Sequence, residues 1–368
     1  MSSILATDPL DAAPALATAG DSRKLASLDT TDMRTAAAGA PLVQARDLAM
    51  TFDVSAPWLN RVLERKPRQL LHAVDGVSFD IQRGQTLALV GESGCGKSTV
   101  ARLLVGLYHP TRGGLTFDGQ DAHAAFKTAE GRKLRRRIQM IFQDPYASLN
   151  PRWLVEDIVG EPLKEHDLIT DAAQLKARVG ELLQSVGLSP LDMVKYPHQF
   201  SGGQRQRISI ARALATQPEF LVCDEPTSAL DVSVQAQVLN IMKDLQRKQG
   251  LTYLFISHNL AVVRHVSDQV GVMYLGRLVE LAGKHQLFGN PRHPYTRMLL
   301  DAIPKMHDTG RSRTPVQGEV PNPLNPPAGC AFNPRCPHAN DRCRTERPQL
   351  LHLQGVRVAC HAVEEGRI

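Results

Sequence analysis

The chain has 368 residues and a formal net charge of +6, from 43 Lys and Arg against 37 Asp and Glu. That length can bury a full core and more than one domain, and the charge is modest. No run of 18 apolar residues occurs, so no segment is expected to span a membrane.

In chain order, residues 1–41 are rich in Ala, Thr, Ser and Asp with little periodicity, and read as a mobile N-terminal tail. The tail carries Asp8, Asp11 and Asp21 and lacks a compact apolar core, so it does not read as a secretory signal, and a cytosolic location is expected. Residues 43–53 and 73–81 read as strands of a small sheet, joined by a polar, basic loop. Residues 86–90 are wholly apolar after Thr86 and read as a buried strand. Then comes Gly91-Glu92-Ser93-Gly94-Cys95-Gly96-Lys97-Ser98, the spacing of a phosphate-binding loop. Val100, Leu103 and Leu104 follow at helical spacing, so the loop sits between strand and helix. Its glycines let successive N–H groups turn toward one anion, and the helix N-terminus adds partial positive charge. Lys97 can reach the β- and γ-phosphates, and the Ser98 hydroxyl can ligate Mg²⁺. The plainer alternative is a glycine turn followed by a surface lysine.

The basic run from Arg132 to Arg137 could touch nucleic acid or lipid headgroups, but reads first as a solvated helix face. Residues 138–142 read as a strand, broken by Gln143 to Pro151. Residues 152–199 read as mostly helical, with Leu175, Val179, Leu182, Leu183 and Val186 on one apolar face and Gly187 as the stop. Ser201-Gly202-Gly203-Gln204 opens another helix; Ser201 suits a cap, and the glycines expose N–H groups at a second anion site. The apolar strand 220–223 ends on Asp224-Glu225, two carboxylates at the end of a strand where a parallel sheet offers its ligand crevice. Asp224 suits a Mg²⁺ shell, and Glu225 is placed to polarise a water. Residues 232–249 read as a helix stopped by Gly250, and 252–256 and 270–274 as further strands. Alternating strands and helices predict a parallel sheet covered on both faces.

From about residue 285 prolines rule out long regular elements. Cys330, Cys336, Cys343 and Cys360 crowd this end, with five, six and sixteen residues between them. The tight pair usual in structural zinc sites is absent. A looser four-thiolate set suits an iron–sulfur cluster, which would stabilise a segment short of apolar residues. Zn²⁺, or four free thiols in a small core, are the alternatives.

Taken together, Gly91–Ser98, Gln143, Ser201–Gln204, Asp224-Glu225, Ser228 to Asp231 and His258 resemble an ABC transporter ATPase subunit. The resemblance implies an α/β fold: a P-loop ABC ATPase with a mixed core sheet, a small antiparallel β subdomain and a helical subdomain at about residues 150–205. It further implies a nucleotide-binding domain over 42–285 and an irregular Cys-rich C-terminal extension over 286–368. By this resemblance residues Gly91 to Thr99 hold ATP. Ser98, Gln143 and Asp224 surround Mg²⁺. Glu225 is the general base, with Gln143 and His258 beside the γ-phosphate. Ser201, Gly202, Gly203 and Gln204 reach the nucleotide of an opposite subunit, and Asp231 lies at the dimer seam. The signature usually begins with Leu where this chain has Phe200. Phe52 is assigned to stack on adenine, with Trp58 as its competitor.

Tyr146 to Arg152, Pro291 to Thr296 and Asn325 to Cys336 narrow the resemblance to ATPase subunits of bacterial dipeptide and oligopeptide importers, closest to the dipeptide type. This implies ATP-powered peptide import, with ATP, Mg²⁺ and a [4Fe–4S] cluster as cofactors. Implied partners are a second, homologous ATPase subunit in a heterodimer, two transmembrane permease subunits and, indirectly, a periplasmic peptide-binding protein. No nucleic acid is expected, and the location is the cytoplasmic face of the inner membrane. A single phosphate loop and the absence of sustained heptads set the chain apart from ABC proteins that act on ribosomes or DNA.

Overall fold

Strand β3 (Thr86–Val90) is buried along its whole length, and such a strand needs neighbours on both edges and cover on both faces. In the computed structural model, which describes residues 39–57, 60–61, 67–302, 318–353 and 355–368, it has both. Trp58 and residues 1–38 of the expected tail lie outside the described residues.

Strand β3 pairs in parallel with β8 (Thr252–Ile256) and β9 (Gln269–Tyr274). Beyond β8 lie β7 (Phe220–Asp224) and β6 (Ile138–Ile141), also parallel. On the other side β10 (Arg277–Gly283) turns back antiparallel to β9, and a terminal hairpin of β11 (Leu351–Leu353) and β12 (Val356–Val358) continues the sheet. Among the described residues the core sheet is therefore mixed and eight-stranded, in the order β11-β12-β10-β9-β3-β8-β7-β6. A separate four-stranded antiparallel sheet has the order β2-β1-β4-β5, from β1 (Val43–Asp53), β2 (Leu70–Ile81), β4 (Arg112–Phe117) and β5 (Gln120–Asp121).

Helix α1 (Lys97–Leu104) packs between the two sheets, burying Val100, Leu103 and Leu104. Helices α2 (Val155–Glu165), α3 (Ala172–Ser185) and α4 (Gly202–Leu214) form a second core with α5 (Val232–Gln249). The face expected on α3 points inward: Val179, Leu182, Leu183 and Val186 are buried and Leu175 packs at its edge. Gly187 and Gly250 end α3 and α5 with positive φ. None of the described helices is long and apolar enough to cross a membrane.

The basic run lies on the helix Glu130–Arg137 with Arg132, Lys133 and Arg135 exposed, as a solvated face should be, while its end makes contacts within the chain. Arg137 lies between Asp118 at 2.5 Å and Glu219 at 2.6 Å, and its guanidinium sits 4.8 Å over the Phe117 ring. Arg83 joins the same two carboxylates, and Arg132 pairs with Asp167.

The described residues of the C-terminal segment are tied into the core of the fold. Its elements are short, as expected, yet β12 pairs with β10 and so belongs to the core sheet. A third core joins Val90, Val272 and Val279 to Phe332, Val356 and Val358. At its centre Tyr274, Tyr295 and Phe332 meet with ring centroids 4.7–5.5 Å apart. Buried aromatic rings contribute both area and edge-to-face attraction, so apolar packing holds the segment where a cluster was expected to.

That corrects the [4Fe–4S] expectation. Among the described residues no three or more His, Cys, Asp or Glu are placed to hold a metal ion, and this removes the Zn²⁺ alternative as well. Cys330, Cys336, Cys343 and Cys360 are free thiols. Cys360 belongs to the third core, against which Cys330 and Cys336 pack. Burial pushes the Cys330 thiol up to about 12 and raises those of Cys336 and Cys360. Neutral thiols of this kind behave as small apolar groups.

Strand β10 shows why a charged residue can hide a strand. Glu280 is 0 % exposed, in mid-strand, and its carboxylate accepts the N–H groups of Arg292 and His293 at 2.9 Å each. These follow α6 (Lys284–Gly289) and lie at the start of α7 (Pro294–Asp301), where a negative charge is favourable. His293 caps α7 in turn, its Nδ1 accepting from the Tyr295 N–H at 3.0 Å. Burial pushes His293 down to about 3, against the pull of a hydrogen bond with the Ala359 backbone. A histidine kept neutral in the folded state but protonated when unfolded favours unfolding in acid. Stability should therefore fall as pH drops from about 6.5 toward the folded-state value, by about 1.4 kcal/mol per unit for this one proton. His293→Asn keeps a capping acceptor without the titration. Its denaturant midpoint should depend less on pH in that window, and an unchanged dependence would assign the acid sensitivity elsewhere.

Candidate functional site

The parallel strands all point their carboxyl ends one way, and the site grows from those ends. At the end of β3 the chain turns through Gly91 to Gly96 into α1. Gly96 is the N-cap of α1, with φ of 103° and no side chain capping the first turn, so its N–H groups face outward at the positive end of the helix dipole. Lys97 is buried, and its Nζ donates to the carbonyls of Gly91 at 2.8 Å and Glu92 at 2.9 Å. The ammonium thus lies across the loop. Cys95 is buried beside it, with burial raising its thiol.

At the end of β7, Asp224 is 3 % exposed and its Oδ1 accepts the Ser98 hydroxyl at 3.0 Å. Burial raises the Asp224 carboxyl above its usual range, opposed mainly by the Ser98 hydrogen bond. A buried carboxylate next to a hydroxyl is a pair of hard oxygen donors, the type that Mg²⁺ takes. The residues fit that ion.

Glu225 follows in a left-handed conformation, φ 46°, held by its N–H to the Ile256 carbonyl at 3.0 Å. A non-glycine residue there carries local strain. The turn directs the carboxylate to two partners: Oε2 lies 3.1 Å from His258 Nδ1 and accepts from Gln143 Nε2 at 3.3 Å. Gln143 follows β6 and His258 follows β8, so three adjacent parallel strands supply one cluster. The geometry brings together a carboxylate, an imidazole and an amide beside the Ser98–Asp224 pair, a set able to orient a water and accept its proton.

Ser201 caps α4 in a capping box: its Oγ accepts the Gln204 N–H at 3.3 Å, and Gln204 Oε1 accepts the Ser201 N–H at 3.0 Å. The plain capping role is therefore real. Gly203 also has a packing reason, because a Cβ there would come within 2.3 Å of Val234 Cγ1 on α5. No hydrogen bond among the described residues joins Ser201–Gln204 to the cluster around Glu225. Asp231 is exposed at the start of α5 and makes no cap. Phe52 is half-buried, edge-on to Tyr108 at 5.5 Å, and Arg102 Nη1 donates to the Tyr108 hydroxyl at 3.1 Å. Neither Tyr108 nor Arg102 stood out in the sequence, where no spacing links them to residue 52.

Glu92, the second loop residue, has an unforeseen partner. Its carboxylate receives both terminal nitrogens of Arg335, at 2.8 and 3.0 Å, and its N–H donates to the Tyr295 hydroxyl at 2.9 Å.

With this geometry in place, comparison with known proteins is decisive. Residues 74–228 match the ABC transporter family and residues 279–343 the C-terminal region of oligopeptide/dipeptide transporters. The chain is 51% identical over 88% of its length to a di/tripeptide transport ATP-binding protein of Pseudomonas aeruginosa, covering 98% of that protein. It is 50% identical to the dipeptide transport ATP-binding protein of Escherichia coli, over 88% of this chain and 95% of that one. The chain belongs to the ABC transporter ATP-binding family. Among solved structures, the ATP-binding cassette MJ0796, a dimer in a post-hydrolysis state bound to ADP and phosphate, superposes with a TM-score of 0.58 at 25% identity, over 66% of this chain and 98% of that one. This member of the family is an ATPase, built on the mixed sheet, antiparallel sheet and helices described above.

Proposed function

We propose that the chain is the ATP-hydrolysing subunit of a peptide importer, working beneath membrane permease subunits. The ATPase belongs to the family; the peptide class rests on the relatives' dipeptide and oligopeptide names and on the matching C-terminal region. The observation carrying the site assignment is the convergence of Gln143, Glu225 and His258 next to Ser98 and Asp224. We assign residues Gly91 to Thr99 to the phosphates and Phe52 to the adenine. Ser98, Asp224 and Gln143 would hold Mg²⁺, which when bound neutralises charge building on the phosphates. Glu225 takes a proton from the attacking water, whose oxygen bonds to the γ-phosphorus as the bond to the β–γ bridging oxygen breaks. His258 holds the carboxylate in line and donates toward the γ-phosphate.

Ser201, Gly202, Gly203 and Gln204 serve the nucleotide of a second, homologous ATPase subunit, with Asp231 at the seam. We keep the division into a nucleotide-binding domain over 42–285 and a C-terminal extension over 286–368. Two transmembrane permeases and a periplasmic binding protein complete the assembly, with this chain peripheral on the cytoplasmic face.

Ser201→Arg tests the composite site. The isolated chain should bind ATP as before, while ATP-driven peptide uptake by the assembled transporter in proteoliposomes should fall by at least tenfold, the size of a lost transition-state contact. Loss of ATP binding by the isolated chain would leave Ser201 a cap only, and unimpaired uptake would remove it from the partner's site.

A further inference from the structure

Every polar group of Glu92 is held by a different part of the chain. The loop's own Lys97 takes its carbonyl. The Tyr295 hydroxyl on α7 takes its N–H. The Arg335 guanidinium takes its carboxylate through a two-point fork. Arg335 comes from the C-terminal segment, 243 residues away in sequence. Its side chain is only 2 % exposed, and it lies 5.9 Å from the Tyr274 ring centroid and 6.0 Å from that of Phe332.

We propose that Arg335 is a positioning residue for the phosphate-binding loop, so that ATP affinity depends on a docked C-terminal segment. A fork-to-carboxylate pair fixes orientation as well as distance. Here it fixes the residue whose carbonyl also holds Lys97, so a shift of the segment reaches the phosphate-binding ammonium through one residue. Displacements of about 1 Å are enough to weaken a preorganised site severely. A purely structural ion pair would anchor the segment equally well from any surface carboxylate. This pair uses one inside the loop, and Tyr295, from the same side of the fold, holds the same residue. The inference rests on the ATP site assigned above.

The test uses the full chain and a fluorescent ATP analogue with Mg²⁺, with thermal melting measured on the same samples. Arg335→Gln and Glu92→Ala should each raise the Kd by about tenfold, and the double variant should do no worse than either alone, since both act through one contact. Arg335→Lys, which keeps the charge and loses the fork, should fall between. Unchanged Kd values with lowered melting temperatures would make Arg335 an anchor and overturn the proposal, as would effects that multiply in the double variant. If Arg335→Gln does not fold, Glu92→Ala against Arg335→Lys makes the same comparison. Wild-type protein that fails to bind the analogue would instead overturn the ATP-site assignment.

Discussion

Glu225→Gln is expected to leave ATP binding intact while lowering hydrolysis by about 10²–10⁴-fold, the range supplied by a positioned general base. The substitution is close to isosteric, so the left-handed turn and its N–H bond to Ile256 persist. The side-chain oxygen can still accept from Gln143 or His258, which lie 3.3 and 3.1 Å from the present carboxylate. What is lost is the ability to accept a proton. Phosphate release and ATP titration on one preparation separate the two: binding stays, turnover goes. Turnover within twofold of wild type would take Glu225 out of the base role, and would move attention to His258 as the other proton acceptor in the cluster.

Gly96→Ala is expected to be the more destructive change, abolishing nucleotide binding and destabilising the fold by several kcal/mol. At φ 103° the backbone is in a region costly to any residue with a Cβ, about 1–3 kcal/mol. The added Cβ would also lie 2.2 Å from the Ala73 carbonyl oxygen on β2. That obstacle is backbone in a paired strand, so no rotamer relieves it. Gly94 provides the comparison: its φ is also positive, at 79°, but no atom lies within 4 Å of the added Cβ. Gly94→Ala should cost only the backbone strain. Denaturant midpoints should therefore rank wild type, Gly94→Ala, Gly96→Ala, and equal midpoints for the two variants would show that β2 yields to the intrusion.

The sequence made the ATP-binding half legible because its chemistry demands particular residues at fixed spacing. A loop that wraps phosphate needs glycines, a lysine and a hydroxyl in one short run, and β3, β7 and β8 advertise burial on both faces through continuous apolar runs, interrupted only at Thr86, Asp224 and Thr252 at their ends. The C-terminal segment gave no such signal. Its prolines broke any period, and four cysteines close in sequence drew attention to metal. What holds it is long-range: Tyr274, Tyr295 and Phe332 come from three separate stretches, and Arg335 meets Glu92 across 243 residues. Glu280 was obscured for a related reason, because the backbone groups that neutralise it belong to a helix that begins beyond the strand. Strand β4 begins Arg112-Gly113-Gly114, a composition that reads as turn.

The β11–β12 hairpin also acts as a cover. Strand β10 has β9 on one side and β12 on the other, and its inward residues Leu278, Val279 and Leu281 are buried. A chain ending before Leu351 would leave the outer edge of β10 with unpaired N–H and C=O groups beside its buried apolar residues. Such an edge recruits strands from other molecules. Truncated protein should therefore self-associate before it unfolds, so light scattering should rise at temperatures where circular dichroism still reports native secondary structure. In the intact protein β12 closes that edge, and β11 in turn pairs with β12.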